Sequence, residues 1–539
     1  MFDYIVVGAG SSGCVVASRL TEDPAVRVLL LEAGGPDRHP FIHIPAAFSR
    51  LFKTRLDWQL LTEPQEHLKQ RRLYWPRGKV LGGSSSINAL IYTRGHRQDY
   101  DDWQALGNDG WGFADVLPYF KKAENQERGA SEYHGTGGPL NIADVEAPNV
   151  LTRAFVEACT QVGLPRNDDF NGPIQEGVGF NQVTQKAGRR MSAARAYLVP
   201  ASRRPNLTVI TGAKTTRVLL EGTRAVGVEY VRRGRLQQAQ AGREVVLCGG
   251  TVHSPHLLML SGIGPRNHLE SLSIPVRIDL PGVGQNLQDH VLTGAAYACT
   301  QPVSLDRAAT LINLLNAWLR HKGPLISNIA EAGGFIRTTP QLALPDVQLY
   351  FTPAYYIEHG FTRPPGYGFC LGVCLLRPRS RGEMWLRSRD PRQPPCVQPR
   401  YLDDPADLPP LREGMRLVRR IAQASAFDPF RGEERLPGAH IASDAEIGED
   451  IRHRLETLYH PVGTCKMGHD PQSVVNARLQ VHGASGLRVV DASIMPTLPG
   501  GNTNAPAIMI AEKAVDLMLD RSPSRREAVA CVVTDNLPG

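Results

Sequence analysis

A chain of 539 residues exceeds what one compact core accommodates, so two closely packed domains are expected. Hydrophobic residues at 42% and charged residues at 21% exclude a disordered chain, and no apolar run reaches the roughly 18 to 20 residues that cross a bilayer. A formal charge of +7, scattered over this length, favours an anionic surface or acidic partner only weakly and gives nucleic-acid binding no support.

The first predicted element is a short buried strand, Ile5 to Val7, ending at Gly8. A strand so close to the N-terminus replaces the pattern of a signal peptide, and a cytoplasmic location is the expectation. Gly8, Gly10 and Gly13 follow in G-x-G-x-x-G spacing, and Val15, Val16 and Leu20 supply the apolar face of a helix. The first glycine permits a tight turn, the second admits a pyrophosphate to the backbone, and the third lets the helix pack on the sheet. The helix N-terminus offers free N–H groups to phosphates. A second strand, Arg27 to Leu31, closes on Glu32, placed to accept hydrogen bonds from a ribose diol. This acid disfavours NADP; FAD and NAD both remain open on this motif alone.

Further along, Gly82, Gly83 and Ser84 begin a small-residue loop that ends at Asn88 and can approach a flat ligand closely. Thr216 to Leu220 reads as a strand, and a Gly-rich segment from Gly250 to Gly264 follows the apolar strand Val245 to Cys248. A helix over Ala308 to Leu319 and strands at Asp346 to Phe351 and Phe369 to Leu376 predict an antiparallel sheet covered by helices. Phe351, Tyr355, Tyr356 and Leu458 suggest a cleft for a chain-like molecule rather than a sugar, and Glu331 is either a substrate contact or a buried structural acid. The nine cysteines are dispersed and suit a reducing compartment. Cys370 and Cys374 lack two further zinc ligands nearby, so no metal site is expected.

His460 sits before a Pro and Gly turn, in a context that aims one imidazole, the side chain best tuned for proton abstraction near neutral pH. His253, His256, His290 and His482 carry no such context and are expected to be surface or capping residues. Arg488 to Val490 reads as a buried strand ending in Asp491, Ala492 and Ser493, with a cap at Asp491 as the alternative to cofactor contact. Asn504 follows a Gly-rich stretch, with Thr503 before it and an apolar helix, Ala507 to Leu519, after it. Its carboxamide can hydrogen-bond a substrate oxygen.

Taken together, the first glycine motif, the Gly78 to Asn88 and Gly250 to Gly264 stretches, and the HPVGT and GNTNAP segments resemble the glucose–methanol–choline (GMC) oxidoreductases from about Asp3 to Leu519. The text is most similar to the branch of bacterial membrane-associated dehydrogenases of aliphatic primary alcohols and of polyethylene glycol. The resemblance implies an α/β fold with a Rossmann-like FAD-binding domain and a second, substrate-binding domain. It implies FAD beside Gly82 to Asn88, held non-covalently, because Ile87 stands where some members carry a flavin-linking His. It makes His460 the catalytic base and Asn504 its partner, and assigns Val218 to the adenine and Asp491, Ala492 and Thr503 to the cofactor. The FAD-binding domain is expected over 1–150, 195–298 and 456–520, the substrate domain over 151–194 and 299–455, and a mobile tail over 521–539. The implied activity is oxidation of primary alcohols by hydride transfer to flavin, with a quinone or other non-oxygen acceptor and a peripheral seat on the inner face of the cytoplasmic membrane. Choline dehydrogenase or alcohol oxidase chemistry, a fatty-acid photodecarboxylase and a flavin carrier are the alternatives.

Overall fold

The protein is described by a computed structural model over residues 1–521, so the tail expected at 521–539 lies, apart from Arg521, outside the described residues. Two seven-stranded sheets organise the described chain.

The first sheet grows from the strand Phe2–Val7, which is buried on both faces along Tyr4 to Val7, as a central parallel strand must be. Val28–Glu32 pairs with it on one side and the C-terminal half of Arg235–Leu247 on the other, both parallel. Leu207–Thr211 and Leu487–Val489 extend the parallel part outwards. Beyond Ala241 the long strand changes role: its N-terminal half pairs antiparallel with Arg224–Arg232, which pairs in turn with Ala213–Glu221. Val7 stands beside Leu31 and Leu247, and Leu247 beside Val489, so these four strands end together. In an open α/β sheet this carboxyl edge is where ligands bind. The helices Ser11–Leu20 and Asn504–Met518, the first and last of the described residues, pack against one another.

The second sheet is antiparallel, in the order Arg431–Leu436, Val291–Cys299, Tyr367–Leu375, Val347–Thr352, Ala332–Ile336 and Gly177–Phe180, with Glu456–Thr457 also on Val291–Cys299. The helix Leu408–Ala422 covers it and buries Leu411, Met415, Val418 and Ile421 at helical spacing. Three expectations need correction here. The strand Val291–Cys299 pairs along its whole length with Tyr367–Leu375, so the boundary expected after 298 falls inside a strand of the second sheet. Likewise Glu456 and Thr457, expected to open the last FAD-binding block, pair with Leu292 and Val291. The helix expected over Ala308 to Leu319 is the continuous run Leu311–Leu315 and Asn316–Arg320, and it does not cover the sheet. Its inward residues, Leu314 and Ala317, rest on Ile44, Ala47 and Leu325.

Candidate active site

A cavity of about 680 Å³ opens at the carboxyl edge of the first sheet and runs to the second. Its nucleotide end is built by close backbone approach. Gly8 adopts φ +99°, and a Cβ there would lie 2.5 Å from the Cys248 carbonyl oxygen. A Cβ on Gly13 would lie 1.8 Å from the Gly8 oxygen, so only glycine lets the first helix meet its strand. The Gly82 N–H donates to the Ala9 carbonyl at 2.7 Å, stitching the second glycine loop onto the first, and a Cβ on Gly83 would stand 2.7 Å from Gly10 Cα. Gly8, Gly10, Gly83, Ser84 and Asn88 line the cavity, whereas Gly13 and Gly82 shape it from behind.

Glu32 lines the same end and accepts from the Ala9 N–H at 2.9 Å and the Gly34 N–H at 2.7 Å. Burial pushes its carboxyl up to about 7 against the pull of those two bonds. Asp491 and Ala492 line the cavity too. Asp491 also accepts from the Gly250 N–H at 2.8 Å and the Ser493 N–H at 2.8 Å, so capping and cavity contact coexist. Val218 is misplaced by the sequence reading. Its N–H donates to Ser261 Oγ at 2.8 Å, and the strand residues at the cavity are Ala213, Lys214 and Thr215. A register shift between Thr215 and Arg217 turns the strand there, and Thr215 Oγ1 is buried without a protein partner.

At the far end, His460 is 8% exposed and its N–H donates to Asp289 Oδ1 at 2.8 Å. Its ring makes two contacts: Nδ1 lies 3.0 Å from His290 Nδ1, and Nε2 lies 3.1 Å from Asn502 Nδ2. The tautomers follow from the outer partners. His290 Nε2 faces the Leu376 carbonyl at 3.0 Å, which only accepts, so that nitrogen carries the proton. His290 Nδ1 is then an acceptor, His460 Nδ1–H donates to it, and His460 Nε2 keeps its lone pair. Asn502 is oriented in the same sense: its Oδ1 accepts from Thr93 Oγ1 at 3.2 Å and its own N–H donates back to that oxygen at 2.8 Å. Burial holds the His460 imidazole well below its usual range, with His290 and Arg77 adding to it, and burial holds His290 at about 3. Both rings are neutral at pH 7.

The structure therefore brings Asn502, not Asn504, to His460. Asn502 is held in the turn before the last helix, whereas Asn504 is the first residue of that helix, and its Oδ1 accepts from Ser11 Oγ at 2.8 Å beside the glycine cradle. Thr503, between them, also lines the cavity. His290 corrects the sequence reading as well: it is fully buried against His460. His253 and His256 line the nucleotide end, with His253 4.1 Å from the Trp58 ring between centroids. Glu331 is structural, accepting from Asn149 N–H, Thr152 Oγ1 and Ser327 Oγ.

A nucleotide-binding sheet whose edge opens on a cavity with an unprotonated imidazole at its other end defines a two-sheet oxidoreductase. The chain matches the family models described as GMC oxidoreductase over residues 2–292 and 378–511. It is 47% identical over 528 residues to an alcohol dehydrogenase (acceptor) of Pseudomonas putida, covering 96% of each chain. It is 48% identical over 532 residues to a mitochondrial choline dehydrogenase of Homo sapiens, covering 96% of this chain and 89% of that one. Among solved structures, a pyridoxine 4-oxidase from Mesorbium loti superposes with a TM-score of 0.89 at 35% identity, covering 97% and 100% of the two chains. The chain belongs to the GMC oxidoreductase family. Its cofactor is FAD, and the glycine cradle, Glu32 and the orphaned Thr215 hydroxyl fit a flavin dinucleotide.

Proposed function

We propose that the protein oxidises primary aliphatic alcohols to aldehydes and passes the electrons to a quinone or another acceptor that is not oxygen. The observation that carries this reading is the orientation of His460: an imidazole lone pair on Nε2, beside an Asn502 N–H, at the wall of the cavity. An alcohol bound there donates its O–H to His460 Nε2 and accepts from Asn502 Nδ2. The base takes the hydroxyl proton, and His290 Nδ1 stays hydrogen-bonded to the imidazolium that results. Bound FAD supplies the acceptor for the hydride leaving the alcohol carbon. Asn504 and Thr503 are assigned to FAD rather than to proton transfer. Retention of FAD is non-covalent, since Ile87 offers no nucleophile.

The substrate class rests on what surrounds the pair. Ile91, Leu292, Ala330, Tyr350 and Leu458 form one apolar cluster, and the Tyr350 hydroxyl lies 3.5 Å from Asn502 Oδ1. Glu456, a lining carboxylate, is engaged by His359 Nε2 at 2.8 Å, and Glu358 is bonded to Thr362. Choline chemistry is the second reading, favoured by the aromatic lining residues Phe48, Phe52, Tyr356 and Tyr459, whose faces attract a quaternary ammonium. Leu458, two residues before the base, supplies bulk that keeps oxygen from the flavin.

No helix among the described residues is long and apolar enough to cross a membrane. We place the enzyme in the cytoplasm and at the face of the membrane, where a quinone acceptor dissolves. The test is turnover in the dark with a soluble artificial acceptor, comparing 1-octanol, choline and a fatty acid, together with peroxide formation in air. Preference for 1-octanol with little peroxide supports the reading. Preference for choline, or rapid peroxide formation, replaces its substrate or its acceptor.

A further inference from the structure

Five of the thirteen large hydrophobic side chains exposed among the described residues fall within nine positions, on the helical run Leu311–Arg320. Leu311, Ile312, Leu315, Trp318 and Leu319 are 73%, 71%, 44%, 56% and 63% exposed. Their spacing puts them on one helix face, while Leu314 and Ala317 point inward to Ile44 and Ala47. A stripe of this size in water is costly unless something covers it.

The charges around the stripe name its cover. Arg307, Arg320 and Lys322 are exposed at its two ends, and the sequence from 307 to 330 contains no Asp or Glu. The nearest acid on the N-terminal side, Asp306, is turned inward, accepting from Ser304 Oγ, the Tyr355 N–H and the Gly368 N–H. Aliphatic side chains with one Trp, flanked along the chain by cations and by no acid, match the boundary of an anionic bilayer, where apolar groups enter the acyl edge and Lys or Arg meet the headgroups. We propose that Leu311–Arg320 is a monotopic docking helix that seats this protein on anionic lipid.

The location also bears on function. Phe41 packs against two buried clusters, one that holds Ala317 of this helix and one that holds Phe48 and Ile87, which line the cavity. Docking thus brings the cavity wall near the lipid in which long-chain alcohols and quinones dissolve. This inference extends the membrane placement of the proposed function, but lipid binding is measured without any turnover.

The experiment is co-sedimentation of full-length, FAD-loaded protein with vesicles of phosphatidylcholine alone or mixed equally with phosphatidylglycerol, with light scattering of the free protein alongside. Wild-type should bind the mixed vesicles. Trp318→Gln with Leu319→Gln should bind at least about tenfold more weakly, and Arg320→Gln with Lys322→Gln should lose the preference for anionic lipid. Turnover of a soluble alcohol with a soluble acceptor should persist in both. Wild-type protein that stays in the supernatant overturns the proposal. So does unchanged binding in both variants, or a wild-type dimer that Trp318→Gln with Leu319→Gln converts to monomer, which would assign the stripe to a second copy. A protein that binds vesicles but oxidises no alcohol overturns the functional reading alone.

Discussion

Replacing His290 with Leu removes the acceptor that keeps the proton on His460 Nδ1. In the native arrangement the His460 Nδ1–H donates to His290 Nδ1 at 3.0 Å, between two buried rings. Without that acceptor a buried N–H is left unpaired, at a cost of about 1–3 kcal/mol. The ring relieves this by moving the proton to Nε2, where the lone pair is needed, so the productive tautomer falls by about tenfold to a hundredfold at roughly 1.4 kcal/mol per decade. The assay is kcat/KM for a medium-chain alcohol with a soluble acceptor, on protein matched to wild-type in FAD content and melting temperature. His290→Asn is the control, because its Oδ1 takes the place of Nδ1 as acceptor and should recover most of the loss. A Leu variant within about twofold of wild-type, or an Asn variant no better than Leu, refutes the tautomer argument.

The other expectations separate proton transfer from cofactor binding. Asn502→Ala removes a donor aimed at the reacting oxygen and should lower kcat by about a hundredfold to a thousandfold in steady-state assays. Asn504→Ala should instead weaken FAD retention on gel filtration while leaving kcat of the loaded enzyme near wild-type. The pH profile of kcat/KM should stay level through 6.5, the ordinary imidazole value, because burial depresses His460 well below it and protonation sets in only at lower pH; an acid limb centred at or above 6.5 contradicts this. Gly13→Val places a side chain where a Cβ would already be 1.8 Å from the Gly8 oxygen, and flavin absorbance per protein should be lost. Retention of bound FAD by that variant would show that the helix has another way to pack.

The nucleotide end was legible in the sequence because its determinants are local: the Gly8, Gly10 and Gly13 spacing and the acid at Glu32 lie on one strand–helix–strand unit. The chemistry end was legible in His460 but not in its partners. Asn502 and Asn504 are the same residue type two positions apart, and only the start of the helix at Asn504 decides which one turns toward the imidazole. His290 meets His460 across 170 positions, a contact that no local pattern records. The strand expected over Thr216 to Leu220 points to Val218, whereas the cavity takes Thr215, and the register shift between Thr215 and Arg217 leaves no trace in apolar alternation. The boundary expected after 298 cuts the strand Val291–Cys299, because the partner that extends this strand to Cys299, Tyr367–Leu375, lies far along the chain. The stripe on Leu311–Arg320 reads alike whether it faces a core or water, and the fold alone turned it outward.

The most direct test of the central claim is the visible spectrum of the FAD-loaded protein without oxygen, before and after 1-octanol, for wild-type and His460→Ala. The account predicts rapid bleaching of the flavin band in wild-type and bleaching slowed by about a hundredfold or more in the variant. A wild-type band that persists with every alcohol tried, or a variant that bleaches as fast as wild-type, would contradict it.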